Sequence, residues 1–596
     1  MAGSPLLDSD GILSFVVMAN GVAIANTIEV VSLEITHSIN RIATAKLVFS
    51  DGDMPAASFP HSDADAFVPG TEIKIQLGYS EQLKDIFTGI IIKHAITIDG
   101  VNDARLIIEC KDKALAMTRG RKNANFIDMK DSDIIRQLID DYPGLTATVD
   151  VTTVQHKELV QYYASDWDFM LARAEVNGLL VTLDAGKVNV KAPDGASAPV
   201  LALTYGNDML SFEAELDARN QYTSVEASSW DLATLAITQQ NAASAALTKQ
   251  GNITGATLAN VLALNKLQLQ SDVPLVNGSL TAWAKAQQTK SELSRIRGRV
   301  SFQGSALVKP GDLITLNAVG DRFNGNVFVS SVMHRAQDGN WITTVEFGLA
   351  ASWFTEAHAL EAPLTSGMSA GINGLHIGIV KKLDADPEAQ YKVQVSIPIM
   401  QAETDGVWAR LGNFYGSNGF GSFFIPEIGD EVILGFLNDD PSHPVILGSL
   451  YSSKHKPPYE LTADNFIKAI VTRSKLKMEY DDDKKIITLI TPANNKVVIS
   501  DEGKSILLQD QTNNKVELTT SGISLDSPKD ISISAKGKIS LEAVGNVEIT
   551  SKADVKASGL NISHTANVGF TAKGNATAEV SASGNTTIKG AMVLIN

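Results

Sequence analysis

The sequence predicts a mainly β protein that ends in a rod wound from three copies of the chain. Two observations carry this prediction. Short apolar runs with strand-like alternation, each closed by Gly, Asp or Pro, recur through most of the 596 residues. From residue 523 onward, pairs of apolar side chains then return every eight residues, with one slip of register between Val555 and Leu560. The first pattern indicates β-sheets, and the second indicates a regular stack of short strands.

Composition limits the partners of such a chain. Its length corresponds to roughly four domains at about 150 residues each. The formal net charge is −17, which disfavours binding to nucleic acid or to anionic lipid. The single cysteine, Cys110, excludes an internal disulfide and a cysteine-based zinc site, and its apolar neighbours predict a buried structural thiol. Because the first basic residue is Arg41, we expect synthesis in the cytoplasm without a signal peptide.

Residues 1–365 are expected to form one β-rich domain with helical insertions. Helices are predicted after Asp131, where acidic residues occupy the first turn, and from Ser165 to Gly178. Richness in Ala, Gln, Asn and Leu predicts two more helices, around 232–248 and 280–297. Strands return between residues 298 and 347. The glycine- and serine-containing segment 366–373 is the predicted linker.

Residues 374–460 are predicted to form a small antiparallel barrel, because short strands follow one another at close spacing. The expected strands cover residues 375–380, 391–397, 407–411, 422–425, 431–436 and 445–450. The remaining residues, 461–596, form the predicted rod.

The eight-residue repeat places only two inward side chains on each step, too few for one chain to enclose a core. Three chains winding together enclose one, with each strand bonded to strands of the other two chains. Ten such strands would span roughly 45 Å. The predicted trimer core consists of Ile523, Leu525, Ile531, Ile533, Ile539, Leu541, Val547, Ile549, Val555, Leu560, Ile562, Val568, Phe570, Met592 and Leu594.

An ordered series of residues in the predicted barrel resembles the OB-fold domain of the VgrG (valine-glycine repeat) spike family and of related contractile phage tail spikes. The series comprises Trp408, Gly419, Gly421, Phe424, Pro426, Gly429, Asp430, Glu431, Pro441, Pro444 and Gly448. Two positions depart from the family pattern: Phe420 stands where the family usually has Trp, and Asp439 replaces a glycine.

Two further stretches resemble the hub of the same family. The first is the sequence from Ser165 to Phe169 followed by Glu175 and Gly178, and the second runs from Gly298 to Leu349. The resemblance implies a homotrimer with a hub of two tube-like β-barrels, an OB-fold domain and an intertwined triple-stranded β-helix needle.

The resemblance also implies a mechanical function. We expect a membrane-puncturing spike at the tip of the inner tube of a contractile injection system, with its hub on a hexameric tube protein and the baseplate. By the same analogy, Val593, Leu594, Ile595 and Asn596 are the expected contacts of a PAAR-type tip protein that aids payload delivery. A phage tail-like particle released from the cell is favoured, with a type VI secretion apparatus as the alternative.

No catalytic centre, cofactor or metal site is predicted. The glycine-rich segment 416–421 suits a barrel loop better than a phosphate loop, because no strand-to-helix transition accompanies it. The acidic run 481–483 suits a solvated turn better than a cation site. The competing hypothesis is a trimeric tailspike enzyme that cleaves polysaccharide, which requires paired carboxylates. The acidic residues of the tail show no such pairing in the sequence; they are Asp526, Asp530, Glu542, Glu548, Asp554 and Glu579.

Overall fold

The computed structural model describes residues 3–8, 11–80, 82–100, 103–243, 247–264, 266–358, 360–401 and 406–595. The chain forms two compact units, Met1–Leu450 and Tyr451–Asn596. Strands are the main regular secondary structure of both units. Within the described ranges, no helix is both long and apolar enough to cross a bilayer.

The first unit begins with seven strands that enclose a core of their own. They are β1 (Leu13–Ala19), β2 (Val22–Ala23), β3 (Val30–Ser38), β4 (Thr44–Ser50), β5 (Glu72–Tyr79), β6 (Lys84–Ile98) and β7 (Ala104–Lys111). Their inward positions alternate with outward ones, as in β5, where Ile73, Ile75 and Leu77 are buried. Cys110 lies in this core, so the predicted buried thiol is confirmed.

A mixed layer of helices and short sheets follows. It contains β8 (Lys122–Lys130), α1 (Asp131–Asp140), β9 (Thr146–Val149), β10 (Gln155–Ala164), α2 (Asp166–Val176), β11 (Leu180–Asp184) and β12 (Lys187–Lys191). Both predicted helices are confirmed. The Ser165 hydroxyl caps α2 by accepting a hydrogen bond from the Asp168 N–H at 3.1 Å.

Residues 201–357 are again mainly strands; together with residues 3–191 they form what we call the hub. The elements of residues 201–357 are β13 (Leu201–Thr204), β14 (Met209–Leu216), β15 (Ser224–Asp231), β16 (Ala236–Ala243), α3 (Gly255–Ala259), β17 (Lys266–Ser271), α4 (Asn277–Ser294), β18 (Ile296–Gln303), β19 (Leu313–Asn317), β20 (Gly325–Gln337), β21 (Asn340–Phe347) and α5 (Phe354–Ala357). The helix predicted around 232–248 is wrong. That segment forms β16, because it pairs with β15 in a hairpin that packs on α4.

One strand pair joins the two halves of the hub. β3 and β20 pair antiparallel from Ser38 opposite Ser331 to Ser32 opposite Gln337. Where the resemblance implies two tube-like barrels, these strands form one 13-stranded sheet, with order β14-β18-β21-β20-β3-β4-β7-β6-β5-β1-β2 and with β13 and β19 on a branch from β20.

A small closed barrel completes the first unit. Its region contains β22 (His376–Lys382), β23 (Val393–Ser396), β24 (Val407–Leu411), β25 (Gly416–Ser417), β26 (Phe420–Gly421), β27 (Glu431–Phe436) and β28 (Pro444–Ser449). The barrel closes in the order β22-β23-β24-β28-β27, and its β24–β28 pair is parallel, unlike the purely antiparallel barrel that was predicted. The strand expected at 422–425 is absent from this described segment, since the chain there passes from a two-residue pairing into a loop.

The predicted linker packs against this barrel. A 3-10 turn covers Leu364–Gly367, and the side chain of Thr365 is almost fully buried. The Ile372 N–H donates to the Asp439 carbonyl at 2.8 Å. The segment is therefore held in place by backbone bonds.

The second unit contains one antiparallel sheet of seven strands. These are β29 (Ile467–Val471), β30 (Lys477–Asp481), β31 (Ile486–Ile490), β32 (Lys496–Ser500), β33 (Ser505–Gln509), β34 (Lys515–Thr519) and β35 (Gly522–Asp526). Each strand pairs with its sequence neighbour within the chain, including β35, which carries the first pair of the eight-residue repeat and was expected to pair between chains. Residues 527–595, all of them described, form neither helix nor strand in the single chain.

Candidate functional site

The C-terminal sheet has one face made almost entirely of apolar side chains, which we call the apolar face. Strand register places two of its members on every strand. They are Ile470, Met478, Tyr480, Ile487, Leu489, Val497, Ile499, Ile506, Leu508, Val516, Leu518, Ile523 and Leu525, with Lys468 as the only charged residue. The opposite face alternates Lys, Glu, Ser and Thr with a few apolar residues.

The apolar face is open to solvent in the single chain. Leu489, Leu508 and Leu525 are 44%, 45% and 57% exposed. A contiguous apolar surface of this kind on a soluble protein marks a contact with another molecule. The last strand, β35, contributes the first pair of the eight-residue repeat, Ile523 and Leu525, so the face continues into the tail with the same number of apolar side chains per step.

Identical turns hold the strands of this sheet in register. Thr472, Thr491 and Asp510, spaced 19 residues apart, each begin a turn and accept a hydrogen bond from the backbone N–H four residues later. The residue three positions after each cap, as in Asn494, has a positive φ close to 68°. The repeat therefore fixes strand length and keeps the apolar face aligned.

The predicted core residues beyond β35 are exposed in the single chain. They are Ile531, Ile533, Ile539, Leu541, Val547, Ile549, Val555, Leu560, Ile562, Val568, Phe570, Met592 and Leu594. Of the predicted tip contacts, Val593, Leu594 and Ile595 are exposed and Asn596 lies outside the described residues. No single-chain contact buries this repeat, as its spacing predicts.

The barrel residues that carry the family resemblance have structural positions. Pro426 and Pro444 are buried, Trp408 lies in β24, Glu431 begins β27 and Gly448 pairs with Ile433. Asp430 closes the turn before β27, because its carboxylate accepts from the Glu427 N–H at 2.9 Å. Gly429 has φ +91°, which other residues resist.

The remaining members of that series lie in loops. Gly419 and Gly421 belong to the β25–β26 hairpin, Phe424 follows it with an exposed ring, and Pro441 lies in the turn before β28. The segment 416–421, predicted as a barrel loop, is a short hairpin, and the acidic run 481–483 lies at the turn between β30 and β31, as predicted. Asp482 there pairs with Lys468 at 2.5 Å.

Two buried polar networks are centred on Asp166 and Glu175, which lie in the stretch that resembles the hub of the family. Asp166 accepts from Lys122 and Tyr142 at 2.6 Å and from Gln161 at 2.8 Å. Burial alone would raise the pKa of the Asp166 carboxyl, but these hydrogen bonds outweigh it and hold the pKa below its ordinary value. The network ties α2 to β8 and β10.

Glu175 centres the second network, where Lys290 and the Thr355 hydroxyl both bond its carboxylate. Gly178 follows α2 with φ +69°, and a Cβ there would lie 3.2 Å from the Cα of Ala286. Both residues therefore pack α2 against α4. Glu175 and Gly178, the two residues that follow the Ser165–Phe169 stretch in the family resemblance, thus have a structural role in this packing.

No metal-ligating cluster of three His, Cys, Asp or Glu occurs among the described residues. A cavity of about 250 Å³ lies beside the start of α2. Its polar side chains are engaged in the fold: the Arg121 guanidinium donates to the Tyr163 and Glu361 carbonyls, and Ser165 is the cap of α2.

Three family models match the chain. Residues 9–338, more than half of its length, match the model described as the Alg8 N-terminal domain. Residues 376–451 match the type VI secretion system/phage-baseplate injector OB domain, and residues 486–553 match the phage baseplate V C-terminal trimerisation domain. The chain belongs to the Alg8 N-terminal domain family, and its barrel and C-terminal segments are similar to the OB and trimerisation domains of VgrG-like spikes.

Curated spike proteins are similar over short segments. Type VI secretion system spike protein VgrG1a of Pseudomonas aeruginosa is 38% identical over 72 residues, which is 12% of this chain and 11% of the relative. VgrG3 of Vibrio cholerae is 39% identical over 59 residues, 10% of this chain and 6% of the relative. The matched segment thus spans about a tenth or less of the relatives' length.

Solved tail proteins align over longer stretches at low identity. The tail protein from Neisseria meningitidis MC58 aligns with 58% of this chain and 99% of its own, at 14% identity and a TM-score of 0.43. The E. coli c3393 protein, a component of the type VI secretion system, aligns with 73% of this chain and 99% of its own, at 13% identity and a TM-score of 0.37.

The sequence predicts the first core residue at Ile523 and further strands between 470 and 520, but it assigned none of the twelve positions that those strands contribute to the apolar face. The signal was present: strands such as Lys496–Ser500 and Ser505–Gln509 alternate, and Lys477, Lys496 and Lys515 recur every 19 residues. The eight-residue search does not detect a 19-residue repeat, because one such repeat contains two strands and two turns.

Proposed function

We propose that this VgrG-like protein is the trimeric hub and membrane-puncturing spike at the tip of the inner tube of a contractile injection system. The observation that carries the proposal is the apolar face, which runs across seven strands and continues in the repeat after β35. Three copies that turn this face toward a common axis would form a closed prism. The match of residues 486–553 to a trimerisation domain supports this arrangement.

The energetics favour association. Each partly exposed Ile, Leu or Val on the apolar face gains about 1 kcal/mol when fully buried, so the eleven residues of these types contribute about 10 kcal/mol per chain. The tail adds more, because its apolar side chains are more exposed in the single chain. A prism also shields the apolar side chains of every strand from water, which suits a part that must stay folded under axial load.

The first test measures the molar mass of the full chain by sedimentation equilibrium, together with that of two variants of strand β33. Leu508→Glu places a charge on the apolar face, whereas Ser505→Glu places the same charge on the opposite face of the same strand. We expect a trimer for the wild type and for Ser505→Glu. We expect Leu508→Glu to dissociate, because three unpaired carboxylates would be buried at the axis.

A folded hub distinguishes dissociation from misfolding. Near-ultraviolet circular dichroism reports the tryptophans of the first unit, among them the buried Trp341, and we expect it to be unchanged in Leu508→Glu. A monomeric wild type, or a trimeric Leu508→Glu, would contradict the proposal.

The end of the chain is the proposed seat of a PAAR-type tip protein. Val593, Leu594 and Ile595 are exposed and apolar, so three copies would offer an apolar platform at the end of the rod. Ile595→Asp should abolish co-purification of a co-expressed tip protein while the trimer mass stays unchanged. Retention of the tip protein by this variant would argue against the seat.

We propose that the hub sits on the hexameric inner tube protein and the baseplate, and that the spike aids payload delivery without catalysis. A phage tail-like particle is the favoured setting, with a type VI apparatus as the alternative. Immunoblotting of purified extracellular sheathed particles would detect the spike in the first setting. Turnover of surface polysaccharide by the purified trimer would contradict the non-catalytic role.

A further inference from the structure

The strands of the C-terminal sheet end in turns along two opposite sides of the sheet. We call these two sides its edges, and they differ in charge. Turns on one edge, with their flanking strand residues, cover 471–477, 490–496 and 509–515, and this basic edge carries five Lys or Arg and one Asp. Turns on the other edge cover 481–486, 500–505 and 519–522, and this acidic edge carries five Asp or Glu and three Lys. One sheet therefore has opposite net charges on its two sides.

Ion pairs within the chain neutralise only part of this asymmetry. On the basic edge, Lys477 and Lys515 lie 2.9 Å and 3.1 Å from the carboxylates of Glu479 and Glu517 on their own strands. Lys496, the equivalent residue of the middle repeat, forms no ion pair with any residue in the described ranges, because Val498 occupies the position of those glutamates. Lys496 is thus a cation with no carboxylate of its own.

We propose that the basic edge of one copy packs against the acidic edge of the next copy around the trimer, so that Lys496 faces Asp501 and Glu502 of the neighbouring copy. The proposal rests on the proposed trimer and adds what lies at its corners. Three copies related by a threefold axis meet head to tail, so one edge of each copy always meets the other edge of its neighbour. Opposite charges on those edges favour this closure over stacking of like edges.

The alternation of turns between the two edges also lets the basic edge of one copy and the acidic edge of the next fit together along the trimer axis. Turns on the basic edge join β29–β30, β31–β32 and β33–β34, while turns on the acidic edge join β30–β31, β32–β33 and β34–β35. Each turn on one edge therefore lies about one strand spacing, about 4.8 Å, above or below a turn on the other edge. Turns of adjacent copies can interdigitate, which brings the end of β32 with Lys496 level with Asp501 of the neighbour.

An electrostatic interaction between Lys496 and Asp501 would have to form between copies. Lys496 and Asp501 of the same chain are separated by five residues of extended strand, about 17 Å. This exceeds the Debye length of about 8 Å at physiological ionic strength, so the two charges hardly interact within one chain.

Charge reversal of the full-length protein tests the proposal through the urea midpoint of trimer dissociation, followed by sedimentation at fixed protein concentration. Lys496→Glu should lower the midpoint, with a loss of trimer affinity of roughly tenfold, because the change acts at three corners. Asp501→Lys with Glu502→Lys should lower it as well. The triple variant, with both edges reversed, should recover most of the loss.

Lys484→Glu is the matched control. It changes the net charge by the same amount but lies on the acidic edge, so we expect an unchanged or higher midpoint. Equal effects of Lys496→Glu and Lys484→Glu, or no recovery in the triple variant, would overturn the proposal while a trimeric wild type leaves the proposed function intact. A monomeric wild type would overturn both.

Discussion

The Lys290 ammonium lies 2.5 Å from the Glu175 carboxylate, and both side chains are almost fully buried in the hub. The pair connects α4 with α2, and the Thr355 N–H and hydroxyl extend it to α5. Buried ions are tolerated only when paired, so this contact fixes how three separate segments meet.

Removal of one partner of this pair should destabilise the hub strongly. Lys290→Met leaves the Glu175 carboxylate buried without its cation, and we expect a loss of about 3–5 kcal/mol in the free energy of unfolding. Trp353, whose ring lies 5.4 Å from Lys290, provides a local fluorescence signal for urea titration. The exposed pair Lys157–Asp128 is the control, and its removal should change the free energy by less than about 1 kcal/mol. Equal losses at the two sites would contradict the structural role of the buried pair.

Cys110 should be inert in the folded protein. Its side chain is fully buried, and burial raises the pKa of the thiol to about 12. Because the thiolate is the reactive form, we expect no labelling by Ellman's reagent at pH 8 over hours. In concentrated urea, the same protein should react with one equivalent of Ellman's reagent per chain. Rapid labelling without urea would contradict the burial.

Much of the architecture was predictable from local patterns. Strands β24 and β27 have the predicted boundaries, and α2 begins after its predicted cap at Ser165. The error at 232–248 has a physical cause. Alanine and glutamine favour helices, but pairing with β15 and packing on α4 override that weak preference.

The candidate surface was predictable only in part. The repeat after Ile523 was visible because it recurs ten times with a single slip of register, whereas the seven-stranded sheet before it depends on pairing of neighbouring strands within one chain. Charge separation between the edges of that sheet emerges only once register assigns each turn to a side. Lys496 and Asp501 are five positions apart in sequence yet lie on opposite edges.

His334 should make the stability of the hub depend on pH. It is fully buried beside Trp341, and burial, with a smaller effect of His37, lowers its pKa from 6.5 to about 3. The folded state keeps the ring neutral while the unfolded state takes up a proton below pH 6.5. Stability is therefore present above pH 6.5 and lost as the pH falls toward 3, by about 3 kcal/mol at pH 4.5.

Urea titrations at pH 7 and pH 4.5 measure this effect. His334→Gln should shift both curves but reduce the difference between them, since the variant lacks the titrating group. His37 also has a pKa lowered by burial, so part of the pH dependence should remain. An undiminished difference in His334→Gln would show that the pH effect originates elsewhere.

Asp510 should make one turn of the C-terminal sheet sensitive to acid, while the equivalent Thr491 turn is not. Bonds from Asn514 and Thr512 lower the pKa of the Asp510 carboxyl to about 2. A lowered folded pKa means that this carboxylate stabilises the turn above pH 4, and that the contribution is lost as the pH falls from about 4 to 2. Hydrogen exchange of the Thr512 and Asn514 amides should report the loss.

Substitution separates the charge of Asp510 from its capping oxygen. Asp510→Thr restores the residue found in the other two turns, where the threonine hydroxyl accepts the same backbone bond. We expect protection at pH 5 to be largely retained in this variant and its drop between pH 4 and 2.5 to disappear. Asp510→Ala lacks any acceptor and should exchange faster at both pH values. The turn at 491–495 in the same molecule is the internal reference, because a general acid effect on the sheet would move both turns together, and only a drop confined to 510–514 assigns it to the carboxylate.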